Sequence, residues 1–244
     1  MIDGLHRLKF EVRALAAREP RLAMLYAPFR WWSQLRALGR TRPRERVVGP
    51  HTELVIDGMQ GSGNSFVTAA FQLAQQRRVE VAHHLHSPAQ IIGAARRGVP
   101  VLVTIREPAG TVLSLVSRWP YVRLGQALRE YVRFYRKVQC VDDRIVVGLF
   151  PESTRDLGSV IGRVNERFGT DFVPFEHTEE NMRRLRDPAE LGSVQEGRRR
   201  EFRARKAEEL ESAQYDSLRR EAEAVYRRYE ELAERQREAI AARN

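Results

Sequence analysis

A short glycine-rich segment, Gly58–Ser65, has the sequence GMQGSGNS and directly follows the run Leu54-Val55-Ile56-Asp57. Glycines allow successive backbone N–H groups to point inward, and a helix that starts at such a loop adds a partial positive charge. This spacing predicts a turn that binds phosphate oxygens. A tight strand-to-helix turn without a ligand is the alternative for the loop taken by itself.

Asn64 stands where the phosphate loop of ATP- and GTP-binding enzymes, G-x-x-x-x-G-K-[ST], has its lysine. The two glycines and the final hydroxyl, on Ser65, match that pattern. In those enzymes the lysine reaches the β and γ phosphates. A donor without a γ phosphate can be held by a neutral side chain and backbone amides, so Asn64 argues against an ordinary nucleoside triphosphatase.

A second polar group directly follows the apolar run 100–105. Arg106 is its first residue, Pro108 comes two residues later, and Ser114 comes eight residues after the arginine. Pro108 is expected at a helix start, which places Ser114 two turns along that helix. An arginine at the carboxyl end of a parallel strand faces the crevice where α/β sheets bind ligands. We therefore expect Arg106 and Ser114 to bind one phosphate, although an arginine here can also form a structural ion pair.

Three histidines, in the sequence His83-His84-Leu85-His86, end the predicted second strand. A neutral imidazole near pH 7 is suited to act as a general base. In an extended chain His84 and His86 lie on the same side, two residues apart. Metal binding and ordinary packing or capping are the alternatives. Because no Asp, Glu or Cys nearby in the sequence completes a ligand set, no metal is predicted.

The apolar pattern predicts the elements that position these groups, and strands alternate with helices as in a parallel sheet with crossover helices. Strands are predicted at 53–57, 79–84, 100–105 and 144–150, and helices at 64–77, 88–97, 108–118, 124–138 and 157–168. The predicted fold is α/β, a P-loop-like three-layer domain with a central parallel sheet flanked by helices. The predicted divisions are an N-terminal helical segment at 1–45, the α/β domain at 51–190 and a charged helical segment at 191–244.

Residues 53–175 resemble the sulfotransferases that use 3′-phosphoadenosine 5′-phosphosulfate (PAPS), and most of all their short bacterial members. The resemblance rests on the phosphate loop after the first strand, a histidine near the end of a later strand, and Arg-x-Pro with a serine eight residues after the arginine. It implies transfer of a sulfuryl group from PAPS to a hydroxyl or amine of an acceptor. The product of the donor would be adenosine 3′,5′-bisphosphate.

The same resemblance implies roles for individual residues. The 5′ side of the donor would be bound by Gly61, Ser62, Gly63, Asn64 and Ser65, the 3′-phosphate by Arg106 and Ser114, and the acceptor proton by His84 or His86. His84 fits the family's distance to the arginine, and His86 fits its His-x-Pro spacing. Many members have a lysine or arginine where this chain has Gly61. Arg198, in a run of three arginines, is the candidate substitute, with a solvated helix face as the alternative.

Two other functions are compatible with these residues: a nucleotide-dependent kinase or triphosphatase, and a catalytically weak sulfotransferase-fold binding protein. The acceptor is expected to be a hydroxylated small molecule, lipid or carbohydrate. Four aromatic residues are candidates to line its pocket, with core packing as the alternative: Trp119, Tyr121, Tyr131 and Tyr135.

The 244 residues carry a formal net charge of +10, which favours anionic partners. The arginines are spread along the chain without a recognised motif, so nucleic-acid binding is not expected. The basic, tryptophan-bearing N-terminal segment predicts either a layer packed on the domain or peripheral membrane contact. The C-terminal helical stripe predicts packing on the domain or in a homodimer. With the single Cys140 and no long apolar stretch, a cytoplasmic protein is expected.

Overall fold

The centre of the computed structural model, which describes residues 2–19, 47–185 and 193–242, is a four-stranded parallel sheet. The strands are β1 (Leu54–Asp57), β2 (Val81–His83), β3 (Val101–Ile105) and β4 (Val146–Leu149), arranged in the order β2-β1-β3-β4. Each neighbouring pair is parallel. The prediction of an α/β fold with a central parallel sheet is confirmed.

Helices connect the strands and cover both faces of the sheet. They are α1 (Ile2–Arg18), α2 (Asn64–Ala74), α3 (Pro88–Arg96), α4 (Pro108–Arg118), α5 (Leu124–Val138), α6 (Phe150–Arg155), α7 (Leu157–Phe168), α8 (Glu179–Leu185), α9 (Ser193–Leu210) and α10 (Asp216–Ala241). The bounds predicted for α4, α5 and α7 agree with the structure. The helix after the glycine loop ends at Ala74 rather than Arg77, and β2 is limited to Val81–His83.

Alternate residues of the strands point into two separate apolar layers. On one face Leu54 and Ile56 pack in a cluster with the α2 residue Phe71. On the other face Val55 and Val103 pack in a cluster with residues of α3, α4, α5 and α10. A sheet buried on both faces explains why the strands read as nearly continuous apolar runs.

The first and last described helices both pack on the sheet domain. Phe10 and Ala14 of α1 are buried, and α1 contacts α3 and α5. Tyr229 of α10 is fully buried, and its hydroxyl donates a hydrogen bond of 2.9 Å to the Tyr135 carbonyl. The later part of the predicted N-terminal helical segment lies outside the described residues. None of the described helices has the length and apolarity needed to cross a bilayer.

The strand order fixes where a ligand crevice forms. From β1 the chain first adds β2 on one side and later returns to add β3 on the other side, so β1 and β3 are neighbours, with Asp57 paired to Val103. Such a reversal opens a crevice at the carboxyl ends of the two strands. The segments that leave β1 and β3 at this edge carry the glycine loop and Arg106.

Candidate functional site

The glycine loop after β1 has the backbone geometry of a turn that exposes amide groups. Gly61 and Gly63 have φ angles of 96° and 100°, values that favour glycine. Gly63 is the N-cap residue of α2, and no side-chain hydrogen bond caps this helix end. The first backbone N–H groups of a helix have no partner within it. The loop therefore presents hydrogen-bond donors and the positive end of a helix dipole to the crevice.

The side chains of Ser62 and Asn64 face the protein interior and brace the loop. Ser62 Oγ donates to the Met59 carbonyl at 2.7 Å, and Asn64 Nδ2 donates to the Gly58 carbonyl at 3.1 Å. Asn64 Oδ1 accepts a hydrogen bond of 2.5 Å from Thr104 Oγ1 on β3. Both residues are buried, at 1% and 4% exposure. The backbone N–H of Ser62 also donates to the Met59 carbonyl, at 3.2 Å. A contact of these two residues with a phosphate would therefore use the backbone N–H of Asn64.

Gly61 lies directly against α4, the helix that carries Ser114. A Cβ atom at Gly61 would be 2.8 Å from the Thr111 carbonyl oxygen and 3.3 Å from Ser114 Oγ. The loop and the Arg106–Ser114 segment are therefore in contact. The same crowding gives a physical reason why this chain has glycine where many sulfotransferases have a lysine or arginine.

Gly61→Ala is expected to lower the free energy of unfolding by about 2 kcal/mol, because it combines a positive φ with a short contact to backbone. Urea unfolding monitored by circular dichroism measures the change. Gly93→Ala is the matched control, since a Cβ atom at Gly93, within α3, meets no atom within 4 Å. Alanine there should leave stability unchanged or raise it slightly. Equal stability of Gly61→Ala and the native chain would contradict this account of the loop.

Arg106 lies at the end of β3, close to the glycine loop. Its Nε donates to Glu107 Oε1 at 3.0 Å, and its guanidinium lies 4.3 Å from the centre of the Phe150 ring. The other edge of that ring approaches the loop, since a Cβ atom at Gly63 would be 2.9 Å from it. Within the described part of the chain, the two terminal nitrogens of Arg106 have no hydrogen-bond partner. They are donors that an anion in the crevice can use.

Two of the aromatic residues considered for an acceptor pocket are core residues instead. Tyr131 and Tyr135 are fully buried. The Tyr131 hydroxyl donates to the Arg106 carbonyl at 2.9 Å, and the Tyr135 hydroxyl donates to the Thr104 carbonyl at 2.9 Å. Tyr135 also accepts a hydrogen bond of 3.3 Å from the Met59 N–H. Both tyrosines therefore fix the backbone around the crevice.

His84 and His86 both lie beside the glycine loop, but the chain that carries them is not extended as predicted. Their φ angles are 59° and 53°, in the left-handed region. His84 Nε2 is 3.0 Å from Ser65 Oγ, and His86 Nδ1 is 2.7 Å from the Gly58 carbonyl oxygen. The two rings are 5.7 Å apart between centroids. The prediction of an extended chain was wrong, because β2 ends at His83 and the segment then bends toward β1.

Asp57, which the sequence reasoning missed, causes this bend. Its fully buried carboxylate accepts backbone hydrogen bonds from Gly58 at 3.0 Å, His86 at 3.1 Å and Ser87 at 3.3 Å. Burial raises the pKa of the Asp57 carboxyl from 3.8 to about 7. A charged residue that closes an otherwise apolar strand was the available signal, since buried carboxylates require partners.

The contacts of His86 define which of its ring nitrogens is basic. A carbonyl oxygen only accepts hydrogen bonds, so Nδ1 at 2.7 Å from the Gly58 oxygen must carry a proton. The neutral ring then has its lone pair on Nε2. Asp57 Oδ1 lies 3.5 Å from the same nitrogen.

The remaining predicted site residue, Arg198, belongs to α9, but its side chain lies outside the described residues. Across 2–19, 47–185 and 193–242, no three His, Cys, Asp or Glu side chains are grouped so that they could hold a metal ion.

Comparisons of the chain with protein-family models, curated proteins and solved structures found no match. A functional interpretation therefore depends on the residues and geometry of this chain alone.

Proposed function

We propose that this chain is a P-loop-like sulfotransferase that moves a sulfuryl group from PAPS to a hydroxyl or amine of an acceptor. The observation that carries the proposal is the contact between Gly61 and α4, where a Cβ atom would be 3.3 Å from Ser114 Oγ. It brings the glycine loop beside the segment that begins with Arg106. Two adjacent anion-binding elements suit a nucleotide that is phosphorylated at two positions, as PAPS is.

The chemistry of the available groups fits the two ends of this donor. The loop offers backbone N–H groups and the uncapped end of α2, which suit the 5′-phosphosulfate. Arg106 offers two terminal guanidinium nitrogens, which suit the 3′-phosphate because a planar fork can bind two phosphate oxygens at once. Position 64 carries asparagine rather than the lysine of ATP-binding loops, which is compatible with a donor that has no γ phosphate.

The bound donor supplies an activated sulfuryl group, and adenosine 3′,5′-bisphosphate departs with the electron pair of the broken S–O bond. We assign His86 as the general base because its Nδ1 is 2.7 Å from the Gly58 carbonyl oxygen, a contact that places the lone pair of the neutral ring on Nε2. Nε2 accepts the proton of the acceptor hydroxyl while the acceptor oxygen bonds to sulfur. Loop N–H groups stabilise the negative charge that develops on the departing phosphate. His84, 3.0 Å from Ser65 Oγ, orients that hydroxyl.

Adenosine 3′,5′-bisphosphate is expected to bind at least about tenfold more tightly than adenosine 5′-monophosphate, because only the bisphosphate engages Arg106 in addition to the loop. Isothermal titration calorimetry measures both affinities. ATP with Mg²⁺ should bind more weakly than the bisphosphate. Selective binding of ATP would instead support a kinase or triphosphatase and would overturn the sulfotransferase proposal.

A binding protein without turnover is the second candidate, and the crowding at Gly61 favours it because no basic side chain fits at that loop position. Transfer of ³⁵S-labelled sulfate from PAPS to a panel of phenols, sugars and hydroxylated lipids separates the two candidates. Transfer that is lost in His86→Ala, with affinity for the bisphosphate retained, supports the enzyme. Bisphosphate binding without transfer to any acceptor supports the binding protein.

A further inference from the structure

A stripe of large apolar side chains is exposed on α1. Its four members are Leu5 at 54% exposure, Leu8 at 60%, Val12 at 57% and Leu15 at 48%. Within the described residues, no other large apolar side chain is as exposed as these. Spacings of three and four residues place them on one face of the helix. We call this face the α1 stripe.

The opposite face of α1 holds the helix firmly on the domain. Phe10, Ala14 and Ala17 are buried. Arg7 Nε donates to the Tyr121 carbonyl at 2.9 Å, and Arg18 forms an ion pair of 2.9 Å with Glu130. A helix fixed in this way cannot turn its outer leucines into the core.

The two flanks of the α1 stripe differ in charge: one flank is basic, and the other carries Glu11, which is paired with Arg133 at 3.9 Å. Lys9 is exposed, and on a helix of 3.6 residues per turn it lies next to the line through Leu5 and Val12. Arg13 lies further round on the same flank, with its guanidinium over the Trp119 ring. The chain as a whole carries a net charge of +10. An apolar stripe with a basic flank complements a surface that is apolar below and anionic above, as an acidic lipid bilayer is.

We propose that α1 lies in the interface of an anionic lipid bilayer, with the α1 stripe immersed among the acyl chains and Lys9 near the headgroups. An antiparallel second copy is a poorer occupant, because pairing through the stripe brings the Lys9 flank of one copy against the same flank of the other. A helix that exposes four apolar side chains, but is not long and apolar enough to cross a bilayer, suits reversible, peripheral binding.

The same helix is attached to the candidate functional site. Ser87 Oγ, one residue from His86, donates a hydrogen bond of 2.6 Å to the Ala17 carbonyl near the end of α1. Binding of α1 to lipid would therefore keep the histidine segment close to the membrane surface. The proposal itself does not depend on sulfotransferase activity.

The test is flotation of the full chain with vesicles of phosphatidylcholine containing phosphatidylglycerol at about three parts in ten, compared with vesicles of phosphatidylcholine alone. We expect binding to the anionic vesicles, and loss of that binding by at least about tenfold in Leu8→Gln combined with Val12→Gln. Both replaced side chains are exposed, so the fold should persist. Ala224→Gln, at an exposed position of α10, is the matched control and should bind like the native chain.

Three results would overturn the proposal. Equal vesicle binding by the double variant would exclude the α1 stripe as the contact. A native dimer that the double variant converts to a monomer, without vesicle binding, would assign the stripe to self-association. Failure to bind vesicles, together with protection from maleimide of a cysteine placed at Val12 in a chain that also carries Cys140→Ser, would show that another segment of this chain covers the stripe. A circular dichroism spectrum and a urea midpoint like those of the native chain confirm that the double variant is folded.

Discussion

Arg106→Ala is expected to weaken binding of adenosine 3′,5′-bisphosphate by about 100-fold, or about 2.7 kcal/mol. Arg106 supplies the charged donors that distinguish the 3′-phosphate, and its guanidinium already stands beside the loop, 4.3 Å from the Phe150 ring. Affinity for adenosine 5′-monophosphate should change little, because that ligand has no 3′-phosphate. Isothermal titration calorimetry with the two nucleotides measures this difference directly.

Arg118→Ala is the matched control, since Arg118 ends α4, the helix that follows Arg106, is exposed and carries the same charge. It should leave both affinities unchanged, apart from a small effect of net charge that added salt removes. An unchanged bisphosphate affinity in Arg106→Ala would end the assignment of a 3′-phosphate site. An equal loss for both nucleotides would instead mean that Arg106 acts through the shape of the loop.

The sequence was sufficient to predict most of the sheet and helices, because the deciding signals are local. Residues 101–105 form an apolar run interrupted only by Thr104, and Pro108 marks a helix start that the structure places at the same residue. Gly169 directly follows the last predicted residue of α7, and it is the C-cap there with a φ angle of 66°. Proline fixes φ near −65° and glycine reaches positive φ without strain, whatever surrounds them, so these bounds needed no tertiary information.

The meeting of the glycine loop and Arg106 at one edge was also predictable. Both follow buried strands, and the carboxyl ends of parallel strands lie at the same edge of a sheet. What the sequence did not contain was the order of the strands. The contact of Gly61 with Thr111 and Ser114 exists only because β3 pairs with β1.

The missed residues act over long separations in the chain. Tyr135 contacts Met59 from 76 residues away, and Asp57 bonds to Ser87 from 30 residues away. Core packing was one of two roles considered for Tyr135, but nothing in the sequence indicated that its hydroxyl meets the loop. The bend after β2 was missed for the same reason, since backbone hydrogen bonds to Asp57 outweigh the preference of His84 and His86 for an extended chain.

Asp57→Asn is expected to change how stability depends on pH. Burial raises the pKa of Asp57 from 3.8 to about 7, so the folded chain holds this proton more tightly than the unfolded chain. The stability that Asp57 contributes is therefore fully present below about pH 4 and is lost as the pH rises through about 7. A rise of this size corresponds to about 4 kcal/mol. Relative to Asp57→Asn, the native chain should lose stability across this range, as urea unfolding at a series of pH values will show.

Asp156→Asn supplies a control with the opposite sign. The Ser159 side chain and backbone N–H donate hydrogen bonds to Asp156 and lower the pKa of its carboxyl. The native chain should therefore gain stability relative to Asp156→Asn as the pH rises through the acid range. If the native chain also gained stability relative to Asp57→Asn, the Asp57 carboxyl would be an anion in the folded protein at all these pH values. Its three backbone donors would then outweigh burial, and His86 would face a permanent negative charge at 3.5 Å.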